Sequence, residues 1–202
     1  MSMLLATKSA DAPKPEDPKK PESDAIAQKL LETRSIIISE DINDEMTHKV
    51  ISQLLLLEAM DPDKDIKVFI NSPGGSADGG FAIFDMMRFV KPPIKTVAAG
   101  LVASTASIIL LGARKENRYG FVHCRILIHQ PSTHLQGSAS DIEITAVEIL
   151  KLRQKANQLI AEETGQTVDK VASDTNRDYW MGPDEAKAYG LIGKVIRSRD
   201  EM

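Results

Sequence analysis

Two patterns of apolar and polar residues alternate in blocks along the chain. Short apolar runs predict buried strands, and apolar residues three and four positions apart predict helices. The runs fall at residues 35–38, 66–70, 94–99 and 125–128, and the helical spacing at about 46–55, 82–90 and 104–112. This repeated strand, turn and helix rhythm predicts an α/β domain with a mainly parallel sheet.

Residues 140–164 form a longer block that predicts one extended helix. One side of this helix carries Ile142, Ile149, Ala156 and Ile160, whereas Ile144 and Val147 lie on a different side. A helix that is apolar on two sides needs two partners, which predicts contact with its own domain and with a neighbouring subunit. The alternative is a helix wrapped by its own chain.

The two ends of the chain read as appendages. Residues 1–24 are rich in Pro, Lys, Asp and Glu and predict a disordered tail; residues 25–197 form the folded domain, and residues 198–202 a C-terminal tail. Neither a secretory leader nor an apolar run of the roughly 20 residues that span a bilayer is evident. We therefore expect a soluble, cytoplasmic protein.

Composition narrows the class of partner. The chain has 25 basic and 29 acidic residues, a net charge of -4, so its overall charge favours neither nucleic acid nor an anionic membrane. Its one cysteine, Cys124, can form neither an internal disulfide nor a thiolate metal cluster. We expect no metal.

Three residues carry candidate chemistry at predicted element boundaries. Ser104 follows Gly100-Leu101-Val102-Ala103, His129 ends the strand at 125–128, and Asp178 lies in Asn176-Arg177-Asp178. A serine hydroxyl becomes a nucleophile when an imidazole accepts its proton and a carboxylate orients the imidazole. The trio predicts a serine peptidase.

Each member of the trio also has an ordinary structural interpretation. Ser104 could cap the following helix, His129 could be a satisfied polar group, and Asp178 could belong to a turn or an ion pair. The ordered combination of all three settings favours the catalytic interpretation.

Backbone donors for an oxyanion are predicted on either side of Ser104. Gly75, in Ser72-Pro73-Gly74-Gly75, follows a strand, and Thr105 begins a helix whose first N–H groups are free. Together these two amides would stabilise a tetrahedral oxyanion. The alternative for Pro-Gly-Gly is an ordinary turn.

These motifs occur in an order that resembles the Clp protease family of self-compartmentalised serine peptidases. The resemblance runs from about residue 26 to 196 and includes Leu54-Leu55-Leu56-Leu57-Glu58, Ile70 to Gly75, Gly100 to Ser104, Ile128-His129-Gln130-Pro131, Asp141-Ile142-Glu143-Ile144 and Ala188-Tyr189-Gly190-Leu191-Ile192. It implies a crotonase-like α/β fold and a triad of Ser104, His129 and Asp178, with Asp178 preferred over Asp174.

The resemblance also implies an assembly. Seven-membered rings would stack face to face around a chamber, with residues 130–164 as a handle between rings. A separate AAA+ unfoldase would spend ATP and feed unfolded proteins, because this chain has no phosphate-binding loop and needs no cofactor. Substrate would add as a strand beside Gly74 and Gly75 and the segment after Pro131.

Two departures from the family pattern affect binding. Ser132, Thr133 and His134 replace a leucine and glycines at the substrate edge, which could change the cleavage preference. Lys67 stands where the family often has an aromatic residue of the unfoldase-docking pocket, while the pocket keeps Phe69, Phe89 and Tyr119.

Two other functions stay open. A non-catalytic ring subunit that tunes an active paralogue would explain the altered substrate edge. An acyl-CoA hydratase or isomerase could use the same scaffold and a similar oxyanion site.

Overall fold

The computed structural model describes residues 21–133 and 136–202. Most of the predicted tail and one predicted binding residue, His134, lie outside this range. The first helix begins at Pro21, so regular structure starts earlier than residue 25.

The described residues contain seven α-helices and seven strands, together with two short 3₁₀ helices at Lys115–Asn117 and Arg199–Glu201. The helices are α1 Pro21–Glu32, α2 Asp44–Met60, α3 Ala77–Phe89, α4 Thr105–Leu110, α5 Ala139–Thr164, α6 Val168–Asp174 and α7 Pro183–Tyr189. The strands are β1 Ser35–Ile38, β2 Ile66–Ser72, β3 Ile94–Ala103, β4 Arg118–Phe121, β5 Arg125–Ile128, β6 Tyr179–Met181 and β7 Lys194–Ile196. None of these helices is long and apolar enough to cross a membrane.

The sheet is parallel along the order β1-β2-β3-β4-β7, as the strand and helix rhythm predicts. Strand β3 is long enough to carry two neighbours on one edge. Residues 96–98 pair with β4, and residues 101–103 pair with β5. Strand β6 then adds to β5 in the antiparallel direction. The sheet therefore forks near Gly100.

Helices cover one face of this sheet and bury most of the core. Helix α2 shows how the pattern works: Met46, Val50, Leu54 and Leu57 recur three and four positions apart and are all buried. Leu55, the last residue of the predicted helical spacing at 46–55, is instead 42% exposed.

Helix α5 is buried in its C-terminal half alone. Asn157, Ile160, Ala161 and Thr164 are buried. Exposed apolar side chains occupy the first half: Ile142, Ile144, Val147 and Leu150. Within the described residues, the interpretation of a helix wrapped by its own chain is therefore wrong for this half.

A buried ion cluster ties the end of α5 to the sheet. The Arg118 side chain is fully buried and donates to the carbonyls of Ala113, Leu111 and Glu163. The Glu163 carboxylate accepts from Arg118 through one oxygen and pairs with Arg88 through the other, at 2.6 Å. Burial lowers the pKa of Arg118, and the Glu163 carboxylate opposes that shift.

Replacing Glu163 should destabilise the fold strongly. Glu163→Gln leaves the buried Arg118 charge without a counter-ion, and loss of one partner of a partly buried pair costs about 2–3 kcal/mol. Urea unfolding measures this loss. The matched control is Glu162→Gln on the exposed side of the same helix turn, expected within about 0.5 kcal/mol of wild type. Equal effects of the two substitutions would contradict a role for the cluster.

Candidate active site

Strand register brings the three predicted catalytic residues to the same end of the β3–β5–β6 ladders, although no hydrogen bond joins Ser104 to His129 among the described residues. Ala103 pairs with Leu127 in the parallel β3–β5 ladder, and the Ser104 N–H donates to the Leu127 carbonyl at 3.0 Å. Ile128 pairs with Tyr179 in the antiparallel β5–β6 ladder. Continuing each ladder by one residue brings Ser104 beside the end of β5 and sets His129 opposite Asp178.

Ser104 has a backbone conformation that serine rarely adopts. Its φ is 56° and its ψ is -125°, between the end of β3 and the start of α4. Left-handed φ values strain a residue that carries a Cβ. Ser104 occupies the N-cap position of α4, but its side chain makes no capping hydrogen bond within the described structure, so capping does not account for the hydroxyl.

His129 is held with one ring nitrogen toward Asp178. The distance between His129 Nδ1 and Asp178 Oδ1 is 3.5 Å, and the Asp178 side chain is 65% exposed. The other nitrogen, Nε2, is buried and has no hydrogen-bond partner among the described residues. His129 is therefore not a satisfied structural histidine.

Asp174, the other candidate carboxylate, is committed elsewhere. It accepts from the Tyr189 hydroxyl at 2.9 Å and pairs with Lys170 at 2.8 Å. Burial and this hydrogen bond raise the pKa of Tyr189, which keeps the hydroxyl protonated as a donor. The geometry agrees with the choice of Asp178.

The Gly74-Gly75 turn lies against the Ser104 backbone. Both glycines have positive φ, 100° and 148°, and a Cβ on Gly74 would lie 2.8 Å from Ser104 Cβ. A parallel bridge to Ile42 uses the Gly74 carbonyl and the Ser76 N–H. The Gly75 N–H is left out of this bridge, and the Gly75 carbonyl accepts from Thr105 Oγ1 at 3.1 Å.

A cavity of about 370 Å³ opens beside these residues. Its polar rim includes Gly75, Ser104, Thr105 and His129, followed by Pro131, Ser132 and Thr133. Its apolar wall comes from α3, α4 and α5 and consists of Phe81, Ile108, Ile149, Leu152, Ala156 and Ile160. The cavity can hold one apolar side chain next to the Ser104 hydroxyl.

Gln130 has a structural role that the sequence did not reveal. Its N–H donates to the Thr175 carbonyl at 2.6 Å, and its Nε2 donates to the Asn176 carbonyl at 2.7 Å. These bonds hold the segment before Asp178 against the segment that carries His129. The partners are distant in sequence, so only the His-Gln-Pro motif hints at this role.

Comparison with known proteins defines the family. The family model described as Clp protease matches residues 18–199. The chain belongs to the Clp protease family. Two relatives named ATP-dependent Clp protease proteolytic subunit 2 are similar to it. The relative from Treponema denticola is 51% identical over 90% of this chain and 90% of its own length. The relative from Treponema pallidum is 48% identical over 87% of this chain and 88% of its own length.

A solved structure agrees with this assignment. The structure of a ClpP1 mutant from Listeria monocytogenes has a TM-score of 0.80 and 44% identity, covering 87% of this chain and 98% of that one. The predicted fold is confirmed. The predicted function, a proteolytic subunit of a Clp protease, is confirmed too, and neither alternative function gains support.

The predicted docking residues do not all lie together. Phe69 and Tyr119 belong to one small apolar cluster on the sheet face away from the helical core, and Lys67 lies two residues before Phe69 on that face. Phe89 lies at the end of α3, is 77% exposed and is not part of this cluster.

The strained backbone at Ser104 should be visible in stability. Ser104→Gly can adopt φ 56° without a Cβ clash, whereas Ser104→Ala keeps the strain. We expect the glycine variant to be more stable than the alanine variant by about 1 kcal/mol. Urea unfolding of both variants measures the difference in stability. A more stable Ser104→Ala variant would show that the backbone at residue 104 is not strained.

Proposed function

We propose that the chain is a serine endopeptidase in which Ser104 Oγ attacks the carbonyl carbon of the scissile peptide bond. His129 Nε2 takes the hydroxyl proton and then gives it to the leaving amine. Water, activated by the same imidazole, hydrolyses the acyl-enzyme and regenerates Ser104.

The observation that carries this proposal is the buried Nε2 of His129, which has no partner among the described residues and lies in the cavity that Ser104 lines. A buried polar atom without a partner costs about 1–3 kcal/mol, so such atoms are rare unless they serve a function. A free imidazole nitrogen beside a serine hydroxyl is the acceptor that a nucleophile requires.

Asp178 would orient the imidazole from the other side. A carboxylate near Nδ1 favours the tautomer that carries its proton there and leaves Nε2 free to accept. The present separation of 3.5 Å is longer than a good hydrogen bond, and rotation of the exposed Asp178 side chain would shorten it. Asp178 would thus support catalysis without a change in its backbone position.

The amides of Gly75 and Thr105 would bind the oxyanion. The Ile42 bridge leaves the Gly75 N–H unused, and Thr105 is the first residue of α4, whose N–H has no intrahelical partner. Gly74 would bring the first donor close, because its backbone contacts Ser104 where a side chain could not fit. Donors fixed before the reaction stabilise charge without reorganisation.

We also propose the assembly in which this site works. Seven-membered rings, stacked in pairs, would use the exposed apolar half of α5 as the handle between rings. A cytoplasmic AAA+ unfoldase would spend ATP and thread unfolded proteins into the chamber. The substrate backbone would lie between the Gly74-Gly75 turn and Pro131 to Thr133, which border one cavity, with His134 next along the chain.

Ser104→Ala should abolish peptide hydrolysis, because no other group would supply the nucleophile. A serine-reactive fluorophosphonate should add one adduct per wild-type subunit and none to the variant, as measured by intact mass. Gel filtration of both proteins controls for assembly.

Two results would contradict this assignment. Substantial peptide turnover by Ser104→Ala would remove Ser104 from the nucleophile role. A fluorophosphonate adduct that persists in the variant would place the reactive hydroxyl elsewhere.

The cavity should select the side chain before the scissile bond. Burying a charge among apolar walls is costly, so fluorogenic peptides with Leu at that position should have kcat/KM at least about tenfold above peptides with Asp. Ala156→Leu fills the cavity and should shift the preference toward smaller residues. The control Gln154→Leu, on the exposed side of the same helix, should keep the wild-type preference. An unchanged preference in Ala156→Leu would exclude this cavity as the binding site.

A further inference from the structure

A second cavity shares a wall with the cavity beside Ser104. It measures about 500 Å³, and most of its lining is polar, from Asp78, Thr145, Glu148, Lys151 and Lys155. Two apolar residues of α5, Ile149 and Leu152, line both cavities. At these two positions, the wall between the apolar cavity and the polar one is a single side chain thick.

Phe81 and Lys155 extend this wall. Phe81, on α3, is 6% exposed and lines the first cavity, whereas Lys155, on α5, lines the second. The Lys155 Nζ lies 4.1 Å from the centroid of the Phe81 ring. A cation at this distance over an aromatic face is attracted by the ring quadrupole. The contact joins α3 to α5 two residues before Asn157, where the buried half of α5 begins.

The charge of Lys155 is not neutralised by a carboxylate. No acidic side chain of the described residues lies within 4.0 Å of its Nζ. Lys151, one turn earlier on α5 and lining the same second cavity, instead pairs with Glu148 at 2.7 Å. Of these two neighbouring lysines, one therefore places its cation on a carboxylate and the other on the ring that closes the first cavity.

We infer that Lys155 limits how far a substrate side chain enters the cavity beside Ser104, because it holds the Phe81 ring in the wall. The inference rests on the peptidase function proposed above and adds a determinant of substrate size. Turning the ring toward the second cavity would break its contact with the cation. Such a contact at an exposed lysine shifts a conformational equilibrium by about two- to fivefold. Lys155 is thus a positioning residue that acts through Phe81.

Two fluorogenic peptides that differ only in the residue before the scissile bond, Leu or Trp, test this role on the assembled full-length protein. Lys155→Gln removes the cation and keeps a stem of similar length. It should lower the ratio of the Trp KM to the Leu KM about two- to fivefold, because a ring that turns more freely admits the longer side chain. The kcat values should stay unchanged, since Lys155 does not touch the reacting atoms.

Three variants separate the cation on the ring from other effects. Lys155→Arg keeps a cation and should keep the wild-type KM ratio. Lys151→Gln removes the same charge from the same helix and cavity, away from the ring, and should also keep the ratio. Phe81→Leu removes the ring and should itself lower the ratio, and Lys155→Gln should then have no further effect in that background.

A binding measurement gives the same information without turnover. Peptide acids that end in Leu or Trp would be titrated by calorimetry into Ser104→Ala and into the same protein with Lys155→Gln. The ratio of the Trp Kd to the Leu Kd should fall by the same factor as the KM ratio. If neither fluorogenic peptide is cleaved, this Kd ratio still decides the inference, and a missing fluorophosphonate adduct at Ser104 separately marks failure of the peptidase proposal.

Four results would overturn the inference. The first is an unchanged ratio in Lys155→Gln, and the second is an equal change for the Leu and Trp peptides, as a purely structural role would give. The third is an effect of Lys155→Gln that persists in Phe81→Leu, since Lys155 would then not act through the ring. The fourth is a failure of both peptide acids to bind, which would also exclude the cavity as the side-chain site.

Discussion

The candidate site depends on the register of three short ladders at the fork of the sheet. Strand β3 runs past the end of β4 and takes β5 as its next neighbour, so Ser104 emerges beside the strand that leads to His129. The antiparallel addition of β6 then returns Asp178 to His129. A one-residue slip in either ladder would turn these side chains to opposite faces. The geometry of the candidate site is thus set by main-chain pairing.

The remainder of the molecule holds this fork in place. Helix α5 contributes apolar residues to the cavity wall and carries Glu163 in its last turn, where the carboxylate joins Arg118 at the start of β4 to Arg88 on α3. Gln130 fixes the turn before Asp178 from the side of His129. The cluster and the glutamine act on different arms of the fork, and both connect segments that are far apart in sequence.

The sequence predicted well the elements whose burial leaves a strong apolar pattern. The apolar runs of β1, β2 and β5 and the spacing in α2 and α3 are such cases. It did not predict β4, β6 or β7, which lack an apolar run like those of β1 and β5. Asp178 precedes one of these strands, so its place beside His129 came from motif order and family resemblance alone. The Arg118 cluster was missed because a buried charge looks in sequence like any surface charge.

The two polar clusters differ in how well their polar atoms are satisfied among the described residues. Arg118 is fully buried, yet carbonyls and a carboxylate satisfy its donors, so it stabilises the folded chain once formed. At the candidate site, the fold instead tolerates a serine with positive φ and a buried nitrogen that has no partner in the described part of the chain. Each of these features costs of order 1–3 kcal/mol. Such costs persist only where the surrounding structure dictates them, and here the β3–β5–β6 ladders do so. Relief of either one would alter the hydroxyl or the proton acceptor on which the proposed mechanism depends.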